Sequence, residues 1–320
     1  MGLYPDDREK NPKEINMTKK PSKLKAIEPK SAEPKKPKIL IFGKPGVGKT
    51  WASLDFPSCY FIDTEGGANM DHYTDKLKKS GGAYMGPEQG ALDFQTVIEQ
   101  IQALATEDHN FKTLVIDSVT KLFSTAIASE AERILEKGNK DEFGASKKPA
   151  VANMRRLVNW LSRIDMNVIL VSHEKPEWGL NGKGERVEIG STFDAWEKLE
   201  YELDLCLNII KNGPQRIARI RKSRLTGFQD ATTFPWSYAD FSTLYGKEVI
   251  EKKSQAIALA TPEQLAEMKK LFETVRLPEG QEGKWLAAKQ VNDWSEMETG
   301  SIGKAIEHIK KTYLTIEKGN

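Results

Sequence analysis

With 320 residues, 38% hydrophobic and 29% charged, the chain has the composition of a water-facing globular protein with room for one large domain and a smaller one. No apolar run reaches the length of a membrane span and no signal-peptide core is present, so no membrane contact is expected and a cytoplasmic location is. The net charge is +2, but residues 1–38 hold 11 Lys and Arg against 6 Asp and Glu, and the rest 37 against 40, so any nucleic-acid contact of the folded part must come from local patches.

Residues 1–37 are rich in Lys and Pro. Pro12, Pro21, Pro29, Pro34 and Pro37 rule out a long helix, and the expectation is a disordered basic tail. A core over 38–250 follows. Ile39-Leu40-Ile41-Phe42 reads as a buried strand and runs into Gly43-Lys44-Pro45-Gly46-Val47-Gly48-Lys49-Thr50, with Trp51 next and a helix expected from about Lys49 to Leu54. This is G-x-x-x-x-G-K-T in a strand, glycine loop and helix setting, the P-loop pattern. Its glycines let backbone N–H groups turn inward around a phosphate chain, so ATP is the expected ligand. Lys49 would set a positive charge on the outer phosphates, and the Thr50 hydroxyl would ligate Mg2+.

A second strand is expected at Cys59–Asp63, then an irregular stretch to Pro87. Leu92, Val97, Ile98, Ile101 and Leu104 recur at helical spacing. Thr113–Asp117 reads as a strand, followed by a helix to about Glu136, a polar loop over 138–149, a helix from about Val151 to Ile164, and a strand from Asn167 to Ser172. Residues 174–193, with Gly179, Gly182, Gly184 and Gly190, read as a long polar loop. The alternation predicts an α/β fold with a mainly parallel, doubly wound sheet. Leu203–Ile210 and Arg216–Arg221 flank the turn-rich Lys211-Asn212-Gly213-Pro214-Gln215, which predicts a β-hairpin.

From 251 to 320 a small helical module is expected. Thr261-Pro262-Glu263-Gln264 offers a capping box with Pro at the first helical position, and Ser295-x-x-Glu298 a second box. Leu265, Met268, Leu271 and Phe272 form one apolar stripe; Ile302, Ile306, Ile309 and Leu314 form another. Cys59 and Cys206 are expected as buried free thiols, and Trp160, Trp196, Trp285 and Trp294 as core anchors.

The metal of a P-loop needs a second carboxylate, and Leu114-Val115-Ile116-Asp117 supplies the apolar strand ending in Asp of a Walker B pattern. Glu65, in Phe61-Ile62-Asp63-Thr64-Glu65-Gly66, falls just past the end of the strand after the P-loop, the edge where open α/β sheets bind ligands.

Phe-Ile-Asp-Thr-Glu-Gly closely resembles the corresponding strand of RecA-type recombinases, whose Glu is the catalytic base. Val115-Ile116-Asp117-Ser118-Val119 resembles their Walker B strand, and Val168-Ile169-Leu170-Val171-Ser172-His173 their next strand, which ends in a γ-phosphate sensor. That sensor is usually Gln, so His173 is a departure. Lys222-Ser223-Arg224 is similar to the basic pair that RecA-type subunits insert into a neighbour's ATP site, which implies self-association with ATP at the subunit interface. The resemblance covers roughly residues 38–250 and implies a RecA-like ATPase core. It sets single-stranded DNA against the stretches 138–149 and 174–193, with Lys147, Lys148, Lys183 and Arg186 as candidate phosphate contacts and Trp178 as a base-stacking side chain; solvated surface loops are the alternative. Tyr245 resembles an adenine-stacking Tyr of the bacterial recombinase, and Phe123-Ser124-Thr125-Ala126 an F-x-x-A oligomerisation motif, although core positions suit both rings better.

The short tail before the core, His173-Glu174 at the sensor position and the compact C-terminal module together look like phage RecA-like single-strand annealing proteins. That resemblance implies a DNA-stimulated, Mg-dependent ATPase acting in phage recombination, in the host cytoplasm. Two rival readings are a hexameric RecA-fold helicase or translocase, and an ATP-gated adaptor whose C-terminal helices recruit a single-strand binding protein. A RecA-fold ATPase with no DNA role is a third.

Overall fold

The computed structural model describes residues 34–314; most of the expected tail, residues 1–33, lies outside the described residues. In chain order the elements of the core are β1 Lys38–Gly43, α1 Lys49–Ser53, β2 Cys59–Asp63, α2 Asp71–Lys79, β3 Ala83–Met85, α3 Phe94–Thr106, β4 Thr113–Asp117, α4 Val119–Glu136, α5 Lys147–Arg163, β5 Asn167–Leu180, β6 Arg186–Phe193, α6 Leu199–Glu202, β7 Leu205–Asn212, β8 Gln215–Ser223, β9 Thr233–Pro235, α7 Tyr238–Tyr245 and α8 Lys247–Glu251. They are followed by α9 Pro262–Thr274, α10 Gln281–Ala288 and α11 Thr299–Ile309.

A strand that is apolar at four successive positions must be covered on both faces. Ile39, Leu40, Ile41 and Phe42 are all buried, and β1 lies inside a sheet ordered β3-β2-β4-β5-β1-β7-β8-β9. Every pairing from β3 across to β7 is parallel; β7–β8 and β8–β9 are antiparallel. The expected α/β class, mainly parallel sheet, β-hairpin and C-terminal helices are all present.

Side chains along each strand alternate between two cores, as a period of two requires. Leu40, Phe42, Ile62, Leu114, Ile116, Val168 and Leu170 pack with α3, α4 and α5 on one face. Ile39, Ile41, Phe61, Val115, Ile169 and Val171 pack on the other, against Phe56, Phe228, Trp236 and Phe241. Cys59 and Cys206 are buried free thiols, and burial pushes Cys206 up to about 12.

A third apolar cluster spans Met268 to Ile309 and includes Leu271, Trp294, Ile302 and Ile306. The capping box at α9 is formed: the Thr261 hydroxyl accepts from the Gln264 N–H at 3.3 Å, and Gln264 Oε1 accepts from the Thr261 N–H at 3.1 Å. The box expected at Ser295 is not. The Asp293 side chain accepts the Ser295 N–H at 2.8 Å and starts a 3-10 turn there, and α11 begins only at Thr299. The Asx side chain two residues earlier wins the local competition for the backbone donor. Glu296 ties this region to α5, through Arg156 Nη2 at 3.0 Å and its own carbonyl to Arg163 Nη2 at 2.7 Å.

The structure departs from expectation elsewhere too. The stretch before Pro87 is not irregular but holds α2 and β3. A polar helix burying only Leu77 and a three-residue edge strand carry little periodic signal. The loop expected over 174–193 is a hairpin: β5 runs on to Leu180 and pairs antiparallel with β6, with Trp178 opposite Glu188 and Leu180 opposite Arg186. Its turn is made by Asn181, whose Oδ1 accepts the N–H groups of Lys183 and Glu185, and by Gly184 at φ +78°. The loop over 138–149 is shorter than expected, because α5 begins at Lys147.

Lys38, at the foot of β1, donates from Nζ to the carbonyls of Ile164 and Met166 at 2.7 and 2.6 Å. Burial pulls its pKa down from 10.5 to about 7, with Asp204 opposing. Between those values the unfolded chain binds a proton that the folded chain does not, so stability rises with pH above about 7. Urea unfolding from about pH 7 to 9.5, below the ordinary tyrosine range, should show this rise, bounded by about 3 kcal/mol. Lys38→Met should flatten the slope whatever it does to absolute stability; an unchanged slope would place the titration elsewhere.

Candidate functional site

Parallel register brings the C-terminal ends of the central strands to one edge. Gly43 lies opposite His173, Asp63 opposite Asp117, and Asp117 opposite Val171. The loop from Gly43 to Gly48 curls over that edge. Gly46 and Gly48 sit at φ +76° and +87°, a left-handed backbone that side chains resist. Gly48 is also the N-cap of α1 and offers no side chain to the helix's first N–H groups. Lys44 and Pro45 are exposed, Val47 is buried, and Trp51 is 40% exposed.

Lys49 Nζ folds back onto the carbonyls of Gly43 and Lys44 at 2.8 and 3.0 Å. Burial lowers its pKa, while Asp117 and Glu65 oppose the shift. The Thr50 hydroxyl donates to Asp117 Oδ2 at 2.5 Å. Asp117 is pushed up to about 6, chiefly by burial; the Thr50 hydrogen bond works the other way, and the Glu65 charge adds to the rise. A hydroxyl and a carboxylate in contact beside a phosphate-type loop fit Mg2+, which takes few protein ligands and the rest from phosphates and water. Among the described residues no group of three or more His, Cys, Asp or Glu could form an all-protein metal site.

Glu65 is set by the turn that precedes it. Asp63 Oδ1 accepts the N–H groups of Glu65 and Gly66 at 3.0 and 2.8 Å, and Oδ2 accepts that of Ala68 at 2.8 Å and the Tyr84 hydroxyl at 3.0 Å. Burial, followed by the Asp63 charge and hydrogen bond, pushes Tyr84 up to about 12. The Thr64 hydroxyl accepts the Ser118 N–H at 2.8 Å and donates to the Ser118 carbonyl at 2.9 Å, fastening the end of β2 to the end of β4.

The Glu65 carboxylate then meets two side chains at a single oxygen. Ser118 Oγ donates to Oε1 at 2.5 Å, and His173 Nε2 lies 2.6 Å from the same atom. An acceptor carboxylate assigns the Nε2 proton to His173. Oε2 has no hydrogen-bond partner among the described residues. Lys49, Thr50, Glu65, Asp117 and His173 are thus brought together at one edge.

Lys222 and Arg224 are not part of that group in the same chain. Lys222 Nζ donates to the Leu203 carbonyl and Arg224 Nη2 to the Tyr201 carbonyl. Ser223 pairs with Leu205, which pairs with Ile39, so the basic pair sits at the foot of β1, about 13 Å along the strand from Gly43. Tyr245 belongs to that end too. Its hydroxyl donates to the Lys35 carbonyl and its ring stacks on Phe241 at 5.7 Å, which makes it a core ring remote from the loop. Phe123 is likewise buried in the core.

Of the DNA candidates, Lys147 and Lys148 lie in the first turn of α5, and Lys147 is 3.3 Å from Glu197. Beside them Phe143 is fully exposed at φ +54°. Arg186 lies over the half-exposed Trp178, 5.0 Å from the ring centre, and Lys183 is in the hairpin turn.

Ser118, the Asp63–Tyr84 pair and Arg216 take roles in the site that the sequence does not single out. The first two had a local signal, being next to motif residues. Arg216 had none: it is 169 positions from Val47, whose carbonyl accepts its Nε–H at 2.9 Å. A cleft of about 300 Å³ opens here, with Gly46, Gly48, Lys49 and Thr50 on one side and Trp51, Tyr73 and Arg216 on the other. One face of Trp51 is taken by the Lys76 ammonium, 3.8 Å from the ring centre.

Residues 35–229 match the sequence family described as an AAA domain. No curated protein sequence matches the chain. Among solved structures, the RadB recombinase is similar at 15% identity and a TM-score of 0.39, covering 62% of this chain and 86% of that one. The ATPase domain of a helicase is similar at 10% identity and a TM-score of 0.36, covering 62% of this chain and 80% of that one. Among the described residues no helix is long and apolar enough to cross a membrane.

Proposed function

The chain belongs to the AAA domain family, and on that premise we propose that it is a P-loop ATPase that hydrolyses ATP to ADP and phosphate and couples this to single-stranded DNA in annealing or strand pairing. The observation that carries the reading is the meeting of Lys49, the Thr50–Asp117 pair and the Glu65 carboxylate at one sheet edge. The loop's backbone N–H groups hold the phosphate chain, and Lys49 leaves its two carbonyls for the outer phosphates. Magnesium, when bound, would be held by Thr50 and Asp117 and would neutralise charge on the phosphate oxygens.

Glu65 orients the attacking water and accepts its proton. Water adds to the γ-phosphorus, and the bond to the β,γ-bridging oxygen breaks. Ser118 and His173 are positioning residues: they fix one carboxylate oxygen and leave Oε2 for the water. Lys222 and Arg224 serve a neighbouring copy, which makes the active form an oligomer. Support for that reading is their remoteness from the P-loop of their own chain.

For DNA, the reading uses two features. One is the β5–β6 hairpin with Trp178, Lys183 and Arg186; the other is the 138–149 segment with Lys147 and Lys148. An exposed aromatic beside cations suits sequence-tolerant stacking and phosphate contact. The kinship proposed is with phage annealing proteins. The test follows labelled complementary strands with ATP present, in a salt series. Annealing that weakens steeply as salt rises is the expected result. Directional unwinding of a duplex would replace annealing with a helicase function, and the absence of any binding at low salt would remove the DNA role.

A further inference from the structure

We infer that Arg216 is a nucleotide-binding residue acting within its own subunit, gripping the α- and β-phosphates from the side opposite the P-loop amides. This deepens the proposed ATP site and rests on it. The observation is a close approach between distant parts of the chain. Arg216 opens β8, just after the exposed turn Asn212-Gly213-Pro214-Gln215, and its Nε–H donates to the Val47 carbonyl at 2.9 Å.

The contact is tight enough to constrain the motif. A Cβ on Gly48 would fall 2.0 Å from Arg216 Nε and 2.8 Å from Cζ. Gly48 therefore has a second reason to be glycine besides its φ of +87°: the guanidinium occupies the space a side chain would need.

The Val47 bond uses only one of the guanidinium's nitrogens. Neither Nη has a hydrogen-bond partner among the described residues, and no carboxylate there lies within ion-pair distance of Arg216. The side chain is half-buried and lines the same cleft as Gly46, Gly48, Lys49 and Thr50. A half-buried cation beside a lysine and a set of inward N–H groups is poorly placed without an anion. A polyphosphate meets both Nη groups, since the guanidinium fork matches two phosphate oxygens at once. The loop end it touches, Val47–Gly48, leads into α1 and so faces the inner phosphates rather than the γ-phosphate. ADP and ATP share that part.

The experiment is isothermal titration of the full chain with Mg-ADP and with a non-hydrolysable Mg-ATP analogue. Arg216→Ala should weaken both by about tenfold, with the thermal midpoint of the nucleotide-free protein little changed. Arg216→Lys keeps the charge but loses the Nε–Val47 bond, and should recover most of the affinity. Equal affinity in Arg216→Ala and wild type would overturn this inference alone. Arg216→Lys as weak as Arg216→Ala would also overturn it, because the residue would then only shape the loop. A loss confined to the ATP analogue would contradict the inner-phosphate assignment. Wild type that binds neither nucleotide would overturn this inference together with the ATP site itself.

Discussion

Glu65→Gln is expected to slow ATP hydrolysis by about 10²–10⁴-fold, the range for removing a group that positions and deprotonates the attacking water. ATP affinity should stay within about threefold, because the carboxylate touches the water and not the phosphates. The substitution is a clean one here. A glutamine carbonyl can still accept from Ser118 Oγ and His173 Nε2, which now bond to Glu65 Oε1 at 2.5 and 2.6 Å. The turn built on Asp63 is untouched, since it uses the Glu65 N–H and not its side chain. What is lost is the negative charge facing the site. Phosphate release in a coupled assay, with nucleotide affinity measured alongside, checks it. A Glu65→Gln protein hydrolysing at the wild-type rate would transfer the base role to another residue.

The second large effect concerns assembly. Lys222→Ala with Arg224→Ala should lower hydrolysis by about 10³–10⁵-fold, the worth of a charge supplied across an interface to a developing phosphoryl transition state, and should leave ATP binding in place. The geometry of one chain makes this a sharp test. Both side chains donate to carbonyls at the foot of the sheet, of Leu203 and Tyr201, on the opposite end of β1 from the P-loop. They can act on ATP only in a neighbouring copy. Mixing the double variant with Glu65→Gln protein should therefore restore part of the rate, since some interfaces then join an intact Glu65 to an intact basic pair. Full activity of the double variant on its own would end the bridging account.

The parts of this site that could be read in advance are the parts carried by short, contiguous spans. Gly43–Thr50 announces itself because its spacing is set by the phosphate it holds, and Asp117 and Glu65 because each ends a run of buried strand residues. The hairpin over 174–193 was hidden by its own turn chemistry. Four glycines suggested a loop, while the Asn181-Gly182 turn and the alternation around Val187 and Ile189 are the marks of paired strands. Ser295 misled for a related reason, since Asp293 offered the same backbone a competing acceptor. Arg216 lay beyond reach altogether. Its partner is Val47, and only the sheet order, with β7 and β8 beside β1, brings the two together.

The central claim is that the edge formed by Lys49, Thr50, Glu65 and Asp117 turns over ATP. It is tested most directly by steady-state phosphate release from ATP by the full chain, with magnesium present or chelated and with single-stranded DNA present or absent. The account predicts release that needs magnesium, rises with DNA and disappears in Lys49→Ala. A folded protein that binds ATP but releases no phosphate under any of these conditions, or that keeps its rate in Lys49→Ala, would contradict it.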